Sequence, residues 1–176
     1  VSRVVLFKTP MSHKRRNFFK RGLDVASLAS ATALSAKAIH NSRHIELERI
    51  DVKIDKLAKP YKIVQLSDIH IGGLIDKEFM RDIVKRVNLL EADLVVITGD
   101  LVDVAVHRAK EAMSELKDLK SKYGTFYIVG NHEYFHGVEE IIASVKALDI
   151  RVLENENVYV GEEGEGFNLA GVYDVI

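Results

Sequence analysis

From residue 61 onward, two rhythms of apolar residues alternate along the chain. Short runs, KIVQLS (62–67), DLVVITG (93–99), TFYIVG (125–130) and IRVLE (150–154), predict strands, the first reading as a buried strand and the β-branched second as one covered on both faces. Between them, Phe79, Ile83, Val87 and Leu90 in 77–90 repeat at helical spacing, and so do Val106, Ala109, Met113, Leu116 and Leu119 in 105–122. VEEIIASVKAL (138–148) predicts a third helix. Upstream, HIELERIDVKI (44–54) alternates apolar and polar residues with a phase slip near Arg49, and predicts one or two edge strands. Downstream, VYVGEEGEGFNLAGVYD (158–174) predicts two strands around a turn supplied by Gly161, Gly164 and Gly166.

Strands alternating with helices predict an α/β layered fold, and right-handed crossovers keep neighbouring strands largely parallel. The C-terminal ends of such strands gather along one sheet edge, where ligands bind.

At 176 residues and 47% hydrophobic, the chain can bury a sizeable core. Cysteine is absent, which excludes disulfides, thiolate metal sites and a cysteine nucleophile. Any metal is therefore held by oxygen and nitrogen. The net charge of −1 divides unevenly: residues 1–49 hold 10 Lys+Arg against 3 Asp+Glu (+7), and residues 50–176 hold 15 against 23 (−8). An acidic body lacks the basic face that a phosphate backbone requires, so no nucleic-acid partner is expected and a nuclease reading is disfavoured.

The basic head, HKRRNFFKRGLDVASLASATALSAKA (13–38), places Arg15 and Arg16 before Asn17, Phe18, Phe19 and Lys20. An uncharged run from Val25 to Ala36 follows, then Ala36-Lys37-Ala38, an A-x-A pattern. This head resembles a twin-arginine export signal, which implies the twin-arginine translocase as a partner. The other reading is a basic linker just inside a membrane span. Met11 as the start would put the signal at the terminus; otherwise SRVVLFK reads as the tail of an upstream transmembrane segment. No run reaches the ~18–20 apolar residues of a spanning helix. The chain thus divides into a targeting or juxtamembrane segment (1–43) and a domain (44–176), with a membrane-associated or exported location in the cell envelope and a membrane surface as neighbour.

The candidate chemistry stands at the strand ends. The first three core strands close on Asp68-Ile69-His70, on Gly99-Asp100-Leu101-Val102-Asp103 and on Gly130-Asn131-His132-Glu133. Convergence of Asp68, His70, Asp100, Asn131 and His132 would make a site for divalent ions of the Mn, Fe or Zn kind. Without a cation Asp68 and Asp100 would repel each other, whereas a central carboxylate such as Asp100 can bridge two ions about 3.5–4 Å apart. Gly99 and Gly130 let the backbone turn out of the strand and come close. Asp103 either supports a ligand from behind or caps the helix over 105–122. Glu133 orients His132 or its loop. His136 reads as a rim or solvent histidine, and His107 as an exposed one.

The three blocks in this order, about thirty residues apart, resemble those of the calcineurin-like metallophosphoesterase superfamily over roughly residues 60–176. The resemblance implies a sandwich of β-sheets flanked by helices, holding two divalent metal ions. Asp68 and His70 would bind the first ion, Asp100 would bridge, and Asn131 would bind the second. His132 would stand beside the metals, orient the phosphate and protonate the leaving oxygen. The implied reaction is hydrolysis of phosphoester or pyrophosphate bonds by an activated bridging water. The head together with LSDIHIG and GNHEY is most similar to bacterial membrane-associated members, which implies a small-molecule phosphoester or a lipid-linked substrate such as UDP-2,3-diacylglucosamine. The family closes its site with a later histidine and a G-H-x-H block, whereas no histidine follows His136. The expectation is therefore the N-terminal part of the domain, incomplete at the C-terminus, binding metal weakly and hydrolysing little by itself. The alternative is a catalytically incomplete metal-binding or scaffold protein of the same fold.

Overall fold

The computed structural model describes residues 21–37 and 45–174, apart from 22, 26, 36 and 56. Two compact units are present, Val1–Ile45 and Glu46–Ile176. In the first, the described residues of 21–37 are helical and exposed. The paired Arg15 and Arg16, and the Ala36 and Ala38 of the A-x-A pattern, lie outside the described residues. Among those described, no helix is long and apolar enough to cross a membrane.

The second unit is built on a four-stranded parallel sheet: β1 (Ile63–Leu66), β2 (Leu94–Thr98), β3 (Thr125–Ile128) and β4 (Arg151–Val152), side by side in that order. The register pairs Ile63 with Leu94 and Leu66 with Ile97, then Val95 with Thr125 and Thr98 with Ile128. Because order in space follows order in sequence, the strand ends carrying the three candidate blocks are neighbours.

The crossovers are helical, as the 3.6-residue spacing predicts. α1 (Lys77–Leu89) begins at Asp76, whose carboxylate accepts from the Phe79 amide at 2.9 Å, and buries Met80, Ile83, Val84 and Val87. α2 (Val106–Met113) is shorter than the apolar stripe over 105–122 predicts. From Ser114 to Asp118 the chain tightens into a 3₁₀ turn. That turn sets nearly buried Glu115 against Arg81 of α1, with Nε and Nη2 each donating at 3.1 Å. Asn88 fixes its far end, donating to the Asp118 carbonyl and accepting from the Lys120 amide. α4 (Val138–Lys146) covers the third predicted helix and buries Ile141 and Val145.

The final two strands, β5 (Glu156–Val160) and β6 (Phe167–Gly171), form the predicted antiparallel hairpin as a second sheet. Val160 of β5 packs with Leu94, Phe126 and Leu153, and Val158, Phe167 and Leu169 lie against that cluster. The alternate residues Val95, Ile97 and Tyr127 are buried as well, so both faces of the central strands are covered.

Three expectations change. Residues 45–54 form no strand: Leu47, Ile50, Val52 and Ile54 are exposed, and without a neighbour to take the backbone hydrogen bonds alternation alone makes no strand. β1 is an edge strand with Ile63 exposed, not a buried one. A helix absent from the periodicity, α3 (Asn131–His136), follows β3 directly. At six residues it is too short to show a repeat.

Candidate functional site

The loops leaving β1 and β2 run alongside each other. His70 N donates to the Asp100 carbonyl at 2.9 Å, Ile71 N to the Leu101 carbonyl at 2.8 Å, and Asp103 N to the Ile71 carbonyl at 3.0 Å. This short parallel pairing holds the two acidic blocks in register. It carries Asp68, His70 and Asp100 in the left-handed region, at φ 53°, 53° and 49°. Non-glycine residues adopt that conformation at a cost of order 1 kcal/mol or more, which the surrounding hydrogen bonds must offset.

The loops after β2 and β3 are pressed together through glycine. A Cβ at Gly99, itself at φ 80°, would stand 2.5 Å from both the Cα and the amide nitrogen of Gly130. Gly130 is extended (φ −97°, ψ −176°), so its glycine is required by close approach and not by conformation. This approach brings α3 to the site with Asn131 and His132 in its first turn.

Glu133 locks the arrangement. Fully buried at the third position of α3, it accepts from Gly130 N at 2.7 Å, Asp100 N at 3.0 Å and Leu101 N at 2.7 Å. Gly130 is the N-cap of that helix, so the first of these bonds is one half of a capping box. The other two reach the neighbouring loop. A carboxylate that accepts backbone amides from two loops at this depth organises both at once.

Ligand atoms of Asp68, His70 and Asp100 all lie within 4.8 Å of one another. Asp68 also accepts from the Ser67 hydroxyl, and its Oδ1 lies 4.0 Å from His70 Nε2. Asp100 Oδ1 accepts from the His132 amide at 3.0 Å. The Asn131 amide lies against the same carboxylate: with Nδ2 turned inward it donates to the two oxygens at 3.3 and 3.2 Å. With its oxygen turned inward instead, three oxygens face one another, an arrangement stable only around a cation. A cluster of carboxylate, amide and imidazole donors without thiol fits hard to borderline divalent ions.

Both imidazoles converge on one carboxylate. His70 Nδ1 lies 2.8 Å and His132 Nδ1 2.6 Å from Asp103 Oδ1, and the rings meet edge to face at 4.7 Å between centroids. Burial pushes the Asp103 carboxyl up, but hydrogen bonds from His70 and His132 outweigh it and hold the group below the ordinary range. Asp103 thus hydrogen-bonds both histidines, and the helix that follows has Ala105 at its N-cap and no side-chain cap. His107 is exposed and His136, at the last position of α3, is half-buried.

A model of the calcineurin-like phosphoesterase family matches residues 61–174, the whole of the sheet, the crossovers and the site. The chain belongs to the calcineurin-like phosphoesterase family. The parallel sheet with its flanking helices is consistent with the fold of that family. Among related metallophosphoesterases, one from Helicobacter pylori strain J99 is 45% identical over 129 residues, covering 73% of this chain and 34% of the relative. A Bos taurus transmembrane protein with a metallophosphoesterase domain is 39% identical over 121 residues, covering 65% and 27%. The UDP-2,3-diacylglucosamine pyrophosphatase LpxG of Chlamydia muridarum is 30% identical over 122 residues, covering 62% and 37%. The chain thus spans about a third of the length of these metallophosphoesterases. Divalent metal chemistry is common to the family, and the donors gathered at this sheet edge suit it.

Proposed function

We propose that the protein hydrolyses phosphoester or pyrophosphate bonds, using a pair of divalent cations held by Asp68, His70, Asp100 and Asn131. The observation that carries this reading is the meeting of those donors with the His132–Asp103 pair at one sheet edge. When bound, such ions polarise phosphoryl oxygens and make water a nucleophile at neutral pH.

The chain's own residues supply the rest. Asp103 accepts the Nδ1 proton of His132, which leaves Nε2 for the substrate and stabilises the imidazolium from which a proton passes to the departing oxygen. The same carboxylate holds His70 by Nδ1 and frees its Nε2 lone pair on the Asp68 side. Glu133, through the backbone of Asp100 and Gly130, fixes the spacing between the two donor loops.

The relative LpxG, a UDP-2,3-diacylglucosamine pyrophosphatase, supports a lipid-linked phosphate as the substrate class. The +7 head and the transmembrane relative support a location at a membrane, by twin-arginine export or by juxtamembrane anchoring.

Hydrolysis of bis(p-nitrophenyl) phosphate with added Mn²⁺ tests the reading. His132→Gln should lower kcat by about 10²–10⁴, with Mn²⁺ affinity little changed. Turnover that survives both this substitution and a chelator would overturn it.

A further inference from the structure

Phe135 stands one helical turn beyond His132 and is 69% exposed. It meets the His132 ring almost perpendicularly, at 88° and 6.4 Å between centroids. On the other site loop, Leu74 lies four residues beyond His70, at the tip of a tight turn closed by hydrogen bonds between Gly72 and Ile75, and is 45% exposed. An apolar side chain left in water thus stands four residues after His70 and three after His132, and the two histidine rings meet edge to face.

A phenylalanine side chain buries 150–250 Å² when it packs, so leaving one in water beside a polar cluster forgoes a large apolar contact. The edge-to-face contact with His132 sets this exposed side chain beside the histidine assigned above to the substrate. We infer that Phe135 is a specificity-determining residue which packs against the organic part of the substrate, and that the natural substrate is a phosphate carrying an extended apolar group. This inference rests on the phosphoester reading of the site and adds to it the chemistry of the group attached to the phosphate.

The test compares binding of methylphosphonate and octylphosphonate to the Mn²⁺-loaded chain by calorimetry, for the unsubstituted protein, Phe135→Ala and Phe135→Leu. Octylphosphonate should bind more tightly than methylphosphonate. Phe135→Ala should weaken octylphosphonate about tenfold while leaving methylphosphonate unchanged, and Phe135→Leu should restore most of the difference. Equal binding of the two phosphonates, or a chain-length preference indifferent to Phe135→Ala, would overturn the inference while leaving the phosphoester site standing. An equal loss for both ligands would show Phe135 acting through His132 and would also overturn it. If neither phosphonate binds the unsubstituted protein, the phosphoester reading fails and the inference falls with it.

Discussion

The site is organised by carboxylates with distinct tasks. Asp68 and Asp100 present oxygens to the open edge, Asp103 binds two imidazoles, and Glu133 collects backbone amides from two loops. Asp103 makes a testable link between ionisation and stability. Its carboxyl is held below its ordinary value of 3.8, with burial opposing and the His70 and His132 hydrogen bonds prevailing. A depressed folded value means that the stabilisation is complete above the unfolded value and is lost as pH falls through the folded one. Urea midpoints should therefore decline as pH drops below 3.8, and Asp103→Asn should flatten that part of the profile. An unchanged acid limb in Asp103→Asn would show that the two histidine contacts do not stabilise the carboxylate.

At the scale of elements, the decisive contact is between the turns that leave β2 and β3. Gly99→Ala introduces a Cβ 2.5 Å from Gly130 backbone atoms at a residue of φ 80°. The substitution should cost more than ~2 kcal/mol, read as a lower urea midpoint with unchanged slope. A midpoint equal to that of the unsubstituted chain would mean that the loops are not pressed together. This packing also shows what could be read from sequence and what could not. The strands β1 to β3 and the helices α1 and α4 announce themselves because burial on one or both faces imposes a period on Leu94 to Thr98 or on Ile83 and Val87, although the helix buries Met80 and Val84 beside them in place of Phe79 and Leu90. The three polar blocks were legible because a parallel sheet brings strand ends to one edge. Hidden in the sequence were the pairing of the His70 and Asp103 loops and the left-handed turns at Asp68, His70 and Asp100, since both depend on backbone register between distant segments. The double use of Asp103 follows from that register. Alternation at Leu47, Ile50, Val52 and Ile54 misled because periodicity reports a tendency and pairing needs a neighbour.

At the largest scale, the two sheets and helical crossovers of the Glu46–Ile176 unit bring polar residues from three loops to one sheet edge. In the proposed reaction these residues act together as the divalent-cation site, with Asp100 at its middle. Mn²⁺ binding, followed by the loss of the free-ion electron paramagnetic resonance signal, decides this when the unsubstituted chain is compared with Asp100→Asn. The substitution keeps the shape of the side chain and removes its charge. Saturable binding that weakens by tenfold or more in Asp100→Asn is the predicted result. Equal binding by the two proteins, or none by either, would mean that Asp100 is not at the centre of a cation site.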